Sequence, residues 1–249
     1  MQNPFVWHDL MTTDVEAAKK FYGDVVGWTF QPPMMDYTVF EVDKMGIGGL
    51  MPVPEHAKGM PPMWFGYVYV PNVDEACAKA KSLGGAVKRE PWDVPNMLRL
   101  AVLADPTGAM FNVMTPLSTE QRPMPPAGAL GTIGWNELHA GDLAKAWEFY
   151  SKMFGWTKGT TMPMGEHGDY QIWQIDGQDT GGMMKKFDDM PMPIWAYYFY
   201  VDGIDKATER LKKAGGKVFM GPHEVPGGNW IVNASDPQGG FFNLLSKTK

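Results

Sequence analysis

Two residues recur where acid–base chemistry could sit. Asp9 lies in a short apolar run, and a carboxylate returns 128 positions later as Glu137. His139 follows two residues after Glu137, and side chains two apart on an extended strand point to the same face. A carboxylate beside an imidazole suits general acid–base catalysis, since one group can take a proton and the other supply it. Carboxylates are costly to bury unless paired or used. Asp9 and Glu137 therefore either accept hydrogen bonds from neighbouring strands and loops or act on a ligand. A second polar pair, Asn112 and Asn243, carries amides that could orient a polar ligand group or be satisfied inside a sheet. Trp7, Trp135, Phe65, Tyr67, Tyr198 and Tyr200 offer rings that could stack on a planar ligand or simply fill a core.

The segments around these residues are repeated. Phe21-Tyr22 to Gly27-Trp28-Thr29 returns as Phe149-Tyr150 to Gly155-Trp156-Thr157 at an offset of 128. Asp36-Tyr37 to Asp43 returns as Asp169-Tyr170 to Asp176 at 133, and Trp64 to Val70 returns as Trp195 to Val201 at 131. Asp105-Pro106-Thr107-Gly108 returns as Asp236-Pro237-Gln238-Gly239, also at 131. Near-constant offsets over such different segments mean a duplicated domain with small loop insertions, and the period is far longer than that of a solenoid. The expected organisation is a first domain over 1–116, a Pro-rich linker over 117–130 and a second domain over 131–249.

Composition narrows the functional classes. With 44% hydrophobic and 20% charged residues the 249-residue chain reads as globular. A net charge of −6 without a basic run argues against nucleic acid as a partner. No stretch approaches a membrane span, and Met1-Gln2-Asn3-Pro4 does not open a signal peptide, so the expectation is a cytoplasmic protein, monomer or homodimer, with a small-molecule ligand. The single cysteine, Cys77, sits in an Ala/Lys-rich helical stretch and reads as a small packing residue. Twenty methionines suit adaptable cores and adaptable small-molecule clefts alike.

Inside each half a weaker repeat appears. Residues 5–11 read as a strand. Thr13 with Glu16 reads as a capping box, and Val15, Ala18, Tyr22 and Val25 share one helical face that ends at Gly27. Strands follow over 28–31, 37–43 and 47–52. The order restarts at Trp64, with a helix over 73–83, a Gly84-Gly85 stop, and strands near 86–90, 98–104 and 109–114. The fold class is therefore α+β: four β-α-β-β-β modules, paired into two domains whose curved sheets carry helices outside and a concave cleft inside.

The segments Thr13-Asp14…Phe21-Tyr22…Gly27-Trp28, Val73-Asp74…Gly84-Gly85 and Asp105-Pro106-Thr107-Gly108-Ala109-Met110-Phe111-Asn112 resemble the vicinal oxygen chelate superfamily. That group includes glyoxalase I, bleomycin-resistance proteins and extradiol dioxygenases. The resemblance covers nearly the whole chain, twice, and is closest to tandem glyoxalase-like bacterial proteins. It implies a fold more strongly than a reaction.

Metal-dependent members of that superfamily use His or Gln on the first strand, often His on the restart strand, and Glu on the last. Carried over position by position, the resemblance puts Trp7 and Trp135 at the first place, Phe65 and Ala196 near the second, and Asn112 and Asn243 at the third. Indole offers only a donor, and Asn offers only a neutral oxygen, so no metal and no other cofactor is expected at the usual place. The same register turns Trp7, Asp9 and Met11, with their twins Trp135, Glu137 and His139, toward the cleft, and turns His8 toward the helix layer. His56, His167 and His223 fall in loop-like segments and read as surface residues. No P-loop, GxGxxG, nucleophile elbow or CxxC is present.

Three functional classes stay open. One is a lyase or isomerase that moves a proton next to a carbonyl, with Glu137, His139 or Asp9 as the catalytic groups. Another is a binding protein that sequesters an aromatic or apolar metabolite. The last is a divalent-metal glyoxalase or dioxygenase with non-standard ligands.

Overall fold

In this computed structural model residues 4–118 and 122–249 are described. The N-terminal residues 1–3, a stretch of the expected linker (119–121) and the side chain of His56 lie outside the described residues. The first module comprises β1 (Phe5–Thr12), α1 (Val15–Val26), β2 (Thr29–Phe30), β3 (Thr38–Val42) and β4 (Met45–Pro52). The second comprises β5 (Met63–Tyr69), α2 (Val73–Ser82), β6 (Ala86–Val94), β7 (Leu98–Ala104) and β8 (Met110–Pro116). The third comprises β9 (Ile133–Ala140), α3 (Leu143–Phe154), β10 (Thr157–Pro163), β11 (Asp169–Ile175) and β12 (Gln178–Lys185). The fourth comprises β13 (Ile194–Tyr200), α4 (Ile204–Lys213), β14 (Lys217–Val225), β15 (Asn229–Ser235) and β16 (Phe241–Ser246). The expected order β-α-β-β-β thus occurs four times. One eight-stranded sheet runs β2-β3-β4-β1-β5-β8-β7-β6 and the other β10-β11-β12-β9-β13-β16-β15-β14, the same order in both copies.

The first helix starts one residue later than the capping-box reading proposed. Asp14, not Thr13, is the N-cap: its backbone is extended and its carboxylate accepts from Ala17 N at 2.9 Å. A carboxylate at this place satisfies an otherwise orphaned amide and faces the positive end of the helix dipole, which favours Asp over Thr. Glu16 instead reaches Lys19 at 2.9 Å. The stop is as expected, with Gly27 left-handed at φ 90°, a conformation glycine adopts without strain. Its twin Asp142 caps α3 through Lys145 N, and Gly155 ends that helix at φ 74°.

Compactness groups the chain into two units. One holds residues within 1–7, 65–121 and 136–195, which is the second module with the third. Its core is a ring cluster. Trp156 stacks on Trp173 at 3.8 Å and 12°, Tyr150 stacks on Trp156, and Trp195 Nε1 donates to Tyr150 OH at 3.0 Å. Phe5 packs against Trp156, Trp173 and Trp195, while Phe111 packs against Phe149, Tyr150 and Phe154. Cys77 is buried in this unit as expected, and burial pushes its thiol pKa up.

The other unit holds residues within 8–64, 122–135 and 196–249, the first module with the fourth. Here Trp28 stacks on Phe40 at 4.0 Å, and Trp64 Nε1 donates to Tyr22 OH at 3.2 Å. Phe199 and Phe242 complete the cluster. Two polar ties lock it: Tyr22 OH donates to Asp236 Oδ2 at 3.0 Å, and Trp28 Nε1 donates to the Gly131 carbonyl at 2.8 Å. The aromatic residues of the repeated Phe-Tyr…Gly-Trp segment are therefore core residues in both copies, each burying roughly 150–250 Å² of aromatic surface.

Both ties are testable. Burial pushes the Asp236 carboxyl above its ordinary pKa, and hydrogen bonds from Gly240 N, Tyr22 OH and Gln238 N only partly oppose this. The folded chain thus holds this proton more tightly than the unfolded chain. The group's stabilisation is fullest below the unfolded value and is lost as pH rises through the folded value. Asp236→Asn cannot titrate, so melting temperatures followed from about pH 4 to 7 are expected to shift in the variant's favour relative to the parent; parallel curves would refute the assignment. Gly131 has φ 84°, and an added Cβ would lie 2.8 Å from Val42 and 3.2 Å from the Trp28 ring. Gly131→Ala is expected to cost about 1–3 kcal/mol in denaturant titrations.

Candidate functional site

Strand alternation places the candidate groups. On β9, Leu138 and Ala140 are fully buried in the core, so Glu137 and His139 occupy the opposite face. The structure brings these two together: Glu137 Oε1 lies 3.1 Å from His139 Nε2. The other carboxylate oxygen accepts a hydrogen bond of 2.7 Å from Tyr170 OH. Glu137 is 6% exposed and His139 3%, so both are desolvated, and a low local dielectric strengthens the hydrogen bonds they make.

Tyr170 stands at the start of β11 and reaches Glu137 across β12. It can do so because Gly182, the register partner of Glu137, has no side chain; a Cβ there would lie 2.1 Å from the Tyr170 hydroxyl. The first copy repeats the device. Tyr37 OH donates to Asp9 Oδ1 at 2.7 Å, Asp9 pairs in register with Gly49, and a Cβ on Gly49 would meet Tyr37 at 2.1 Å. Asp9 is likewise buried. The copies differ at the next position on this face, where Met11 stands in the place of His139.

The sequence reading did not connect Tyr37 with Asp9 or Tyr170 with Glu137. Their signal was present in the repeated Asp36-Tyr37 and Asp169-Tyr170, taken together with the glycine pairs Gly48-Gly49 and Gly181-Gly182.

The remaining candidates form shorter groups. Tyr198, Asn243 and Asn233 lie in one row across β13, β16 and β15. Asn233 Nδ2 donates to Asn243 Oδ1 and, at 3.4 Å, to Tyr198 OH. Asn243 is wholly buried, and its Nδ2 finds no hydrogen-bond partner among the described residues. Tyr67 and Asn112 pair likewise in register on β5 and β8, and Asn112 Oδ1 also finds no partner among the described residues. Tyr200 is half-buried and lies against Gly134, where a Cβ would meet its ring at 2.3 Å. Trp7, Trp135 and Phe65 are each half-buried.

At the positions where the resemblance would place a divalent metal, the side chains are those of Trp7, Phe65 and Asn112 in one copy and Trp135, Ala196 and Asn243 in the other. Indole, phenyl, methyl and neutral amide do not make a divalent-ion site, which draws on imidazole, thiolate or carboxylate. The residues present do not fit the ion. Among the described residues no three of His, Cys, Asp and Glu converge to hold a metal. His8 points away from Asp9 and packs edge-on against Tyr197 at 4.6 Å. His223 is half-buried, and the His167 side chain is 49% exposed.

Comparison with known proteins agrees with this fold. Residues 132–244 match the Glyoxalase/Bleomycin resistance protein/Dioxygenase superfamily, and residues 5–43 match the bleomycin resistance protein-like N-terminal family. CFP32 of Mycobacterium tuberculosis, named as a candidate glyoxylase, is 30% identical over 96% of this chain and 93% of its own length. The anthracycline biosynthesis protein DnrV of Streptomyces peucetius is 29% identical over 96% of this chain and 91% of its own. Among solved structures, the Mn(II)-bound glyoxalase of Novosphingobium aromaticivorans superposes with a TM-score of 0.69 at 17% identity, covering 100% of this chain and 82% of that one. The 2,2',3-trihydroxybiphenyl 1,2-dioxygenase of Sphingomonas wittichii RW1 gives 0.72 at 13% identity, covering 99% and 91%. At those identities the structures speak for the fold alone. Four β-α-β-β-β modules, two sheets of the same strand order and these matches together mean that the chain belongs to the glyoxalase/bleomycin-resistance/dioxygenase group, the vicinal oxygen chelate superfamily.

Proposed function

We propose that this protein binds a small, planar or partly aromatic carbonyl compound and moves a proton on it, as a lyase or isomerase does, without a metal at the superfamily's usual place. The observation that carries the reading is the desolvated Glu137 carboxylate, held by Tyr170 OH at 2.7 Å and flanked by His139 at 3.1 Å. In this reading Glu137 takes the proton from the carbon beside the carbonyl and leaves an enolate. His139 returns a proton to the adjacent atom, and Tyr170 orients the base. The step is redox-neutral, because the proton removed is balanced by the one returned. In this reading the half-buried rings of Trp7 and Trp135 each offer apolar surface to a ligand of their own copy. The relation to a protein named for anthracycline biosynthesis favours a fused-ring compound as substrate class.

The first copy favours a second reading for its own site. With Met11 at the position of the imidazole, the reading assigns Asp9 and Tyr37 to orienting a ligand, which suits binding without turnover. Asn112 and Asn243 belong to the proposal as polar contacts to ligand. No described helix is long and apolar enough to cross a membrane.

The test is deuterium incorporation from D₂O into a panel of α-hydroxyketones and polycyclic aromatic ketones, read by NMR. The parent protein is expected to exchange at least one of them. Glu137→Gln is expected to slow that exchange by about 10²-fold or more, with affinity by tryptophan quenching changed less than about threefold. Undiminished exchange in Glu137→Gln would remove Glu137 as the base. Tight binding with no exchange by the parent would establish the sequestering reading instead. Tyr170→Phe keeps the base but loses its orienting bond, and a loss of roughly tenfold in rate is expected in the same assay.

A further inference from the structure

Phe187 lies two residues beyond β12, in the loop over residues 186–193. Its ring centroid is 6.0 Å from the His139 imidazole and 5.2 Å, edge-on, from that of His167. His167 ends a one-turn 3-10 helix, Gly165–His167, and the turn is bounded by left-handed glycines, Gly165 at φ 61° and Gly168 at φ 82°. The Phe187 loop is clamped at its base. Lys186 N donates to Ala140 O at 2.8 Å, at the end of β9. Lys186 Nζ donates to Met190 O at 2.7 Å and to Phe187 O at 3.4 Å. A half-buried ring carried by a loop therefore lies beside a buried imidazole carried by a strand. Loops are the elements that open at low cost, while strand positions stay fixed.

The first copy carries other residues at the matching positions. Two residues beyond β4, the position matching Phe187 is Pro54, and Met11 replaces His139. At these matching positions ring and imidazole occur together in one copy and neither occurs in the other, as expected if the ring serves the imidazole.

The geometry points to Phe187 as the residue that controls access to the Glu137–His139 pair and so selects what binds there. With the ring in place the pair is shielded. When the loop swings out, a flat unsaturated ligand takes over the contact with His139 that the phenyl ring gives up, whereas a bulky saturated one cannot. This inference rests on the proposed reading of Glu137 and His139 as the reacting groups.

Acylation of individual histidines by diethylpyrocarbonate, mapped by mass spectrometry on the intact chain, tests it without turnover. His139 is expected to react slowly in the parent and about tenfold faster or more in Phe187→Ala, because labelling tracks the open population. His8, buried elsewhere against Tyr197, is expected to stay unchanged. Phe187→Leu, which retains most of the volume, is expected to give an intermediate His139 rate and carries the test if the alanine variant does not fold. An unchanged His139 rate would overturn the proposal. A parallel rise at His139 and His8 would overturn it too, since it would mark Phe187 as a general packing residue. Either result leaves the proton-transfer reading standing, whereas full activity in Glu137→Gln would remove that reading and leave the labelling result intact.

Discussion

A pair of adjacent glycines carries both the core and the candidate site of each copy. On β12, a Cβ at Gly181 would come within 2.5 Å of the Trp173 ring, and one at Gly182 within 2.1 Å of Tyr170. On β4, a Cβ at Gly48 would meet Phe40 at 2.1 Å, and one at Gly49 would meet Tyr37 at 2.1 Å. Successive residues of a strand face opposite ways, so one glycine of each pair opens the core face and the other opens the reverse face. The core opening admits the ring on which Trp156 or Trp28 stacks. The reverse opening admits the tyrosine that holds Glu137 or Asp9. Close packing leaves no slack for even a methyl group at either place.

The two copies keep this geometry and diverge in chemistry. Both bury a carboxylate under a tyrosine hydroxyl at 2.7 Å, an arrangement that satisfies a costly group and fixes its direction. The second has an imidazole 3.1 Å from the carboxylate and an aromatic ring 6.0 Å from that imidazole, where the first has Met11 at the matching strand position. Within this shared geometry, Met11 and His139 mark the place on the face where the two copies differ in chemistry.

Much of the fold was legible in local pattern. The Phe-Tyr…Gly-Trp segment announced a helix and its stop, and Gly27 and Gly155 end the helices in the left-handed conformation. The cap moved from Thr13 to Asp14 because two adjacent residues could each cap, and the carboxylate also answers the helix dipole. Glu137 and His139 were legible as neighbours because alternation alone puts them on one face. Tyr37 and Tyr170 were not. They lie 28 and 33 residues from the carboxylates they hold, and the contact exists only once an intervening glycine strand pairs in register.

Four modules, their element order, their family and the shared face of Glu137 and His139 were legible in the amino-acid sequence. All of these follow from rules acting over a few residues: strand alternation, helix periodicity, capping and turn chemistry. Tertiary structure alone decided that the first module shares a core with the fourth and the second with the third. The bonds that seal such a core join Tyr22 to Asp236, 214 residues apart, and Trp28 to Gly131, 103 apart. No local preference encodes pairings at that separation. They are selected by the free energy of burying complementary aromatic faces together with their polar ends, which exists only when whole modules meet.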